Sequence, residues 1–213
     1  ANHDSLWFAM VLARCINYIS SLEAVGFPET WEPNMVALVL NKRDYAGLKI
    51  FTSAYMMRCD EGISKIDYVV RRVLNPIWSR PPVIFTNSLE ETWKGLLSYY
   101  GIGPFLAYEI VTDLAYTCYL SEANDSMTWA NAGPGAIRGL NRVYDRRLNM
   151  TPADPVGDMR KLLVRLLETK MEEIFPQHLL DMRAVEHTLC EFDKYERVRL
   201  RQGKPKQLFR SGG

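Results

Sequence analysis

The sequence predicts an all-α fold, and three observations support that prediction. Apolar residues recur at helical spacing in segment after segment of the 213-residue chain, whereas the alternation of a half-buried strand is scarce. Helix start signals are frequent, since Ser88 is followed by Glu91 three residues later and Asp154 is followed by Pro155. The composition, with 47% hydrophobic and 24% charged residues, excludes a disordered or fibrous chain.

Short helices are predicted through the first half of the chain, each from apolar residues at i, i+3 and i+4 spacing. Gly26 marks a turn after the first helix, and the pair Pro81 and Pro82 marks a linker after the last. Asn75 followed by Pro76 predicts a helix end, because proline lacks the N–H of a helix interior. The predicted helices cover residues 5–21, 35–41, 49–59 and 61–75.

Helix boundaries are clearer in the second half. Ser88 caps a helix, and Pro104 occupies the first turn of the next, which is predicted over residues 104–117. Asp154 caps a third helix, and a last helix or pair covers residues 177–200. The apolar face of the third consists of Met159, Leu162, Leu163, Leu166 and Leu167.

We predict one helical domain over residues 1–193 and a basic tail over residues 194–213. The whole chain has 26 Lys and Arg against 25 Asp and Glu, so its net charge of +1 says nothing about nucleic acid. The tail, in contrast, has Glu196 as its one acid, and Gly203 with Pro205 predicts an extended backbone. It either binds phosphates or only keeps the chain in solution. Its basic residues are Lys194, Arg197, Arg199, Arg201, Lys204, Lys206 and Arg210.

Metal, disulfide and membrane chemistry are not expected. The four cysteines are widely spread without a C-x-x-C pair, and the three histidines have no metal-ligand spacing. This pattern favours a reducing compartment and argues against a structural zinc site. No apolar run reaches 18 residues, so no membrane partner is expected. We predict that the protein uses no cofactor.

A glycine turn between two predicted helices is the first candidate binding site. Gly101, Ile102 and Gly103 join them as a helix-hairpin-helix, in which the glycines let the backbone approach a phosphate and Ile102 anchors the turn in the core. Such hairpins hold the DNA backbone without reading its sequence. The alternative is a plain helix–helix turn that needs glycine for its geometry.

A second glycine cluster precedes a helix with four arginines. Gly133, Gly135 and Gly139 lie within seven residues, which suits an anion site or a close approach of backbone to ligand. Trp129 is either a base-stacking or a core residue, and Asn131 lies in the same loop. The cluster is not a P-loop, because the lysine and hydroxyl that end G-x-x-x-x-G-K-[ST] are missing. The arginines are Arg138, Arg142, Arg146 and Arg147.

The order of these clusters resembles the layout of helix-hairpin-helix DNA glycosylases, although no aspartate stands in the loop over residues 132–135. Four blocks are similar to a narrower family, the alpha-glutamyl/putrescinyl thymine pyrophosphorylases. They are FTSAY at 51–55 with Arg58, EIVTDL at 109–114, AGPGA at 132–136 with RGL at 138–140, and LCEFDKY at 189–195.

The resemblance implies a glycosylase-like fold and a role in bacteriophage thymine hypermodification, in the cytoplasm of the infected bacterial host. The implied reaction is a transfer in which an amine, an amino acid or polyamine, displaces pyrophosphate from pyrophosphorylated 5-hydroxymethyluracil in DNA. The implied partners are DNA with a flipped modified thymine and a small amine. Two other functions stay open: a non-catalytic helix-hairpin-helix DNA-binding module, and a DNA glycosylase whose catalytic acid is relocated.

The transferase hypothesis defines the candidate site. Glu109 and Asp113, four residues apart on one helix, share a face where a carboxylate can take the proton of the incoming ammonium. The family motif ranks Asp113 first, with Asp193 and Glu191 next in line. Arg138 is expected to hold the departing pyrophosphate with its planar fork. The expected DNA and substrate contacts are Arg58, Gly101, Gly103, Trp129, Asn131, Gly133, Gly135, Lys194, Arg199, Arg201, Lys204 and Lys206.

Overall fold

The computed structural model describes residues 4–52, 57, 59–81, 87–169 and 180–203. Every regular element among these residues is helical, which confirms the all-α prediction. None of the helices in the described ranges is long and apolar enough to cross a membrane. The chain, predicted to be one domain with a tail, divides into two compact units, Ala1–Ala123 and Asn124–Gly213.

The first unit is organised around an aromatic core. The ring of Phe8 packs edge-on against Trp31 at 4.8 Å and against Trp78 at 4.9 Å between centroids. Trp7 stacks on Trp78 at 6.2 Å. Each such pair adds roughly 0.5–1.5 kcal/mol beyond the burial of its area. The helices are α1 (Leu6–Ile16), α2 (Ile19–Val25), α3 (Pro33–Tyr45), α4 (Lys65–Asp67), a π-helical segment (Tyr68–Leu74), α5 (Asn75–Ser79), α6 (Leu89–Leu96) and α7 (Pro104–Leu114).

Two sequence predictions are wrong in this unit. The single helix expected over residues 5–21 is broken at Asn17, which ends α1 in the left-handed conformation with φ 46°. Asparagine tolerates that conformation, and its N–H bonds the carbonyl of Ala13, so the break is stable. The helix expected over residues 49–59 is absent from the part of it that the structure describes.

The helix expected to end at Asn75 continues through Pro76 to Ser79. It does so because a π-helical turn precedes the proline. The N–H of Asn75 bonds the carbonyl of Val70, five residues back, so the turn is wider than an α-helical turn. A widened turn accommodates a proline ring, which clashes with the preceding carbonyl in a regular α-helix.

The second unit contains α8 (Pro134–Val143), α9 (Pro155–Glu168) and α10 (Met182–Arg199). Asp154 caps α9 by accepting a hydrogen bond from the N–H of Gly157 at 2.8 Å, as its sequence predicts. Helix α10 continues to Arg199, so the expectation of an extended tail is wrong for residues 194–199. The mutual spacing of their apolar and charged residues keeps them in the helix, and Gly203 comes only after its end.

Candidate DNA-binding and phosphate-binding site

The glycine turn joins α6 to α7 in the predicted way. Ile102 is buried at the centre of the turn, and Gly101 has a φ of +80°. A Cβ at Gly101 would lie 2.7 Å from Cγ2 of Val73 and 2.9 Å from the hydroxyl of Tyr68. Both the dihedral angle and the packing therefore require glycine at this position. The role of Gly101 is thus explained by the fold, and its contact with DNA stays a prediction.

Gly103 differs from Gly101 in each of these respects. It is exposed, its backbone is extended with φ −88° and ψ 171°, and nothing lies within 4 Å of a Cβ built on it. It caps α7 without a side chain, at the end of the helix whose N–H groups attract anions. The surface at Gly103 is therefore open to a phosphate, as the hairpin prediction requires.

The two candidate bases share a face of α7 and converge on one cation. Arg14 of α1 donates hydrogen bonds to Asp113 from Nε at 2.5 Å and from Nη2 at 2.7 Å, and its Nη1 lies 3.0 Å from Oε2 of Glu109. All three side chains are less than a quarter exposed. A carboxylate held by both nitrogens of a guanidinium must release it before accepting a proton. The sequence analysis missed Arg14.

The second glycine cluster is explained in part by helix packing. A Cβ at Gly139 would overlap the carbonyl oxygen of Leu189 and lie 2.7 Å from its carbonyl carbon. A Cβ at Gly135 would lie 2.6 Å from Sγ of Cys190. The two glycines, four residues apart on α8, thus let α10 approach closely. Gly133, which caps α8, donates its N–H to Oε1 of Glu186 at 3.4 Å.

Other residues of this cluster differ in burial. Trp129 is buried, which favours its interpretation as a core residue, and Asn131 is half-buried. Burial raises the pKa of the Cys190 thiol, with the charge of Lys194 opposing that shift. The thiolate that a nucleophile needs is therefore disfavoured at Cys190.

Arg138 lies in a cluster of three arginines around Asp193, a carboxylate with no exposed surface. Its Nε donates to Oδ2 of Asp193 at 2.8 Å, and the Nε of Arg142 donates to Oδ1 at 3.0 Å. The Nε of Arg197 lies 3.2 Å from Oδ2. We call this set the Asp193 cluster. Arg138 and Asp193 are 55 positions apart, so no local pattern in the sequence pairs them.

The remaining predicted contacts lie beside this cluster on α10, just beyond it, or outside the described residues. Lys194 pairs with Glu191 and Arg199 pairs with Glu196, each within one helical turn. Hydrogen bonds from Arg199 lower the pKa of Glu196, and the charge of Arg142 contributes to the same shift. Arg201 follows the helix with φ 55°. Those outside the described residues are Arg58, Lys204 and Lys206.

The comparison with known proteins decides the family. The family model of the 5-hmdU DNA kinase helical domain matches residues 1–205. The chain belongs to this family. A 5-hmdU DNA kinase of Bacillus phage SP10 is 28% identical over 207 residues, which cover 81% of this chain and 31% of that protein. The chain thus spans about a third of the length of this curated kinase. No solved structure matches.

Membership in the kinase helical-domain family supports one part of the resemblance in the sequence. The expected relationship was to phage proteins of thymine hypermodification, and a phage 5-hmdU DNA kinase agrees with it at that level. The match does not extend to the amine transferases within that group. The all-α architecture is shared by the helical-domain description, whereas the glycosylase-like arrangement stays a prediction.

Proposed function

We propose that this chain is the DNA-holding domain of a 5-hmdU DNA kinase and binds DNA that contains 5-hydroxymethyluracil. The observation that carries the proposal is the match of the kinase helical-domain model to residues 1–205, nearly the whole chain. The SP10 protein, whose name states both the kinase activity and the DNA substrate, is about three times as long as the matched part. The two tasks of such an enzyme therefore have room to lie in different domains.

Phosphoryl transfer depends on a cradle that positions the phosphates of the nucleotide. The only Gly-Lys pair of this chain is Gly203 with Lys204, and Pro205 follows where a P-loop has serine or threonine. We therefore place the nucleotide in the part of the kinase that this chain does not match, and the DNA on this chain. Infected bacterial cells, where phage DNA is modified, are the proposed location.

The surface at Gly103 is the first proposed contact with the DNA backbone. Its extended backbone, its exposure and the free space around it suit the approach of a phosphate to the N-terminus of α7. Contacts of this type fix the position of the duplex and are indifferent to its sequence. Recognition of the hydroxymethyl group then belongs to other residues.

The test is the affinity of the chain for a labelled duplex with 5-hydroxymethyluracil, measured by fluorescence anisotropy. Gly103→Val should weaken binding about tenfold, the effect of losing roughly one charge-assisted hydrogen bond. Gly95→Val is the matched control, because nothing lies within 4 Å of a Cβ at that helical position either. Unchanged affinity of the Gly103 variant, with unchanged helicity, would remove the hairpin from the DNA site.

The amine transferase is the second candidate, and the convergence of Glu109 and Asp113 favours it. In that reaction the amine nitrogen bonds to the exocyclic carbon, the carbon–oxygen bond to pyrophosphate breaks, and a carboxylate accepts the proton of the ammonium. Mass spectrometry of digested DNA separates the candidates after incubation of pyrophosphorylated 5-hydroxymethyluracil DNA with the chain and amines. A new nucleoside indicates the transferase, an abasic site indicates a glycosylase, and unchanged DNA agrees with a holding domain.

A further inference from the structure

The Asp193 cluster concentrates positive charge at one place in the second unit. The charges of Arg138, Arg142 and Arg197 exceed that of Asp193 by two. The other acid nearby, Glu196, is held at both oxygens by Arg199, at 2.8 and 2.7 Å, so that pair adds no net charge. The excess of two positive charges is therefore not neutralised within the set of described partners.

The geometry of the cluster turns the arginines outward. Each of them contacts Asp193 through Nε, which leaves its Nη nitrogens at the far side of the guanidinium. Asp193 is completely buried, whereas the side chains of Arg138 and Arg197 are 35% and 34% exposed. The acid is thus hidden from solvent, and the donors of the arginine fork are presented to it. The Nη2 of Arg142 donates to Oε1 of Gln202 at 3.0 Å.

Close helix packing holds this arrangement in place. Because Gly135 and Gly139 admit α10 against α8, Arg138 and Arg142 reach a carboxylate on the neighbouring helix. Arg197 reaches the same carboxylate from one turn along α10. A buried charge of this kind persists only when its partners satisfy it, so Asp193 orients the arginines as much as they neutralise it.

We infer that the Asp193 cluster is a phosphate-binding site, in which Asp193 is a positioning residue that aims the Nη groups of Arg138 and Arg197 at the anion. Planar guanidinium groups bind two phosphate oxygens at once, which a set of lysines does not do. The phosphate belongs either to the DNA backbone or to a free pyrophosphate. The DNA source rests on the proposed function, whereas the site itself does not.

The decisive variant is Asp193→Asn, because charge and orientation predict opposite results for it. The variant gains one positive charge, so a merely electrostatic surface would bind DNA more tightly. If Asp193 positions the arginines, affinity should instead fall about tenfold, since the fork geometry is lost. Circular dichroism and thermal melting check that the variant folds.

Arg138→Gln and Arg197→Gln keep the inference testable if Asp193→Asn does not fold, because both side chains are a third exposed. Each should weaken binding about tenfold and lower the slope of log affinity against log salt by about 0.9. Arg138→Lys should weaken binding while leaving that slope in place, because it keeps the charge and loses the fork. The matched control is Arg165→Gln, which removes the same charge from an exposed position of α9.

Two probes are used with the 213-residue chain: a labelled DNA duplex in a salt series, and inorganic pyrophosphate by calorimetry. Cluster-dependent binding of DNA alone identifies a backbone phosphate, and cluster-dependent binding of pyrophosphate identifies a site for free anions. Pyrophosphate binding without DNA binding supports the cluster and contradicts the proposed function. DNA binding that the cluster variants and Arg165→Gln affect equally, without pyrophosphate binding, overturns the cluster and leaves the proposed function standing. Binding of neither probe overturns both.

Discussion

The two units each contain a cluster of arginine and carboxylate side chains, and the proportions of the two clusters are inverse. In the first unit, Arg14 holds Glu109 and Asp113, so carboxylates exceed arginines by one. In the second, Asp193 holds three arginines, so arginines exceed carboxylates by two. In the first cluster the acids are also the partly exposed groups, whereas in the second the acid is fully buried.

The difference teaches that the minority group determines what each cluster presents. A single guanidinium engages the two carboxylates of α7 and restrains them as proton acceptors. A single buried carboxylate gathers the arginines of α8 and α10 and orients them for an anion. The second cluster is therefore the better phosphate site, although the sequence analysis placed the catalytic acids at the first.

The largest effect is expected where the two clusters differ in their support, at Gly139. Gly139→Ala should destabilise the chain by about 2–4 kcal/mol, because the added methyl overlaps the backbone of Leu189 and forces α8 away from α10. Gly95→Ala, at an open helical position, should instead stabilise by up to about 1 kcal/mol. Urea denaturation measures both variants. A loss of less than about 1 kcal/mol for Gly139→Ala would mean that the helices separate easily.

A smaller effect is expected at the acid-rich cluster. Arg14→Met should cost about 1–3 kcal/mol, because it leaves two partly buried carboxylates together without a cation. Adding Glu109→Gln to that variant should recover part of the loss, since the repulsion between the carboxylates is removed. Arg165→Met is the control for loss of a charge. If the double variant is no more stable than Arg14→Met, the carboxylates do not interact through their charge.

The smallest effect concerns Asp158, whose two cations make it an intermediate between the two clusters. Hydrogen bonds from Arg146 at 2.6 Å and Lys161 at 3.3 Å lower the pKa of Asp158, that from Arg146 the most. A lowered pKa in the folded state means that the pair stabilises above the ordinary aspartate pKa of about 3.9. That stabilisation is lost as the pH falls through the lowered value.

Asp158→Asn should therefore reduce the melting temperature by about 2–8 °C at pH 7, and the deficit should disappear as the pH falls below about 3. Glu168→Gln, at the end of the same helix, is the control for loss of a carboxylate. Melting curves over a pH series measure the difference. A deficit that is constant over the whole series would show that the side-chain shape, and not the ion pair, determines the effect.

The sequence predicts well those features that depend on neighbouring residues. The capping of α6 by Ser88, the turn at Gly101 and the common face of Glu109 and Asp113 all follow from local spacing, and the structure contains each of them. Helix propensity did not reveal the break at Asn17, because a single left-handed residue interrupts an otherwise regular apolar pattern.

The partners of the candidate site residues were not predictable in this way. Arg14 is 99 positions from Asp113, and the packing of α1 on α7 brings them together. Asp193 was considered as a reserve base from its family motif, yet its three arginines come from two helices and only one follows it at helical spacing. Spacing along the chain reports which residues share a face, whereas ion pairs across helices depend on which faces meet.

The π-helical segment has a consequence for how the length of this chain can vary. A hydrogen bond from residue i+5 to residue i encloses one more residue than the α-helical bond does. Removing one residue between Tyr68 and Leu74 would restore α-helical bonding and rotate everything that follows by about 100°. Trp78, which stacks on Trp7, would then leave the aromatic core. The wide turn thus acts as an angular spacer, and a deletion within it would disturb the core without altering any core residue.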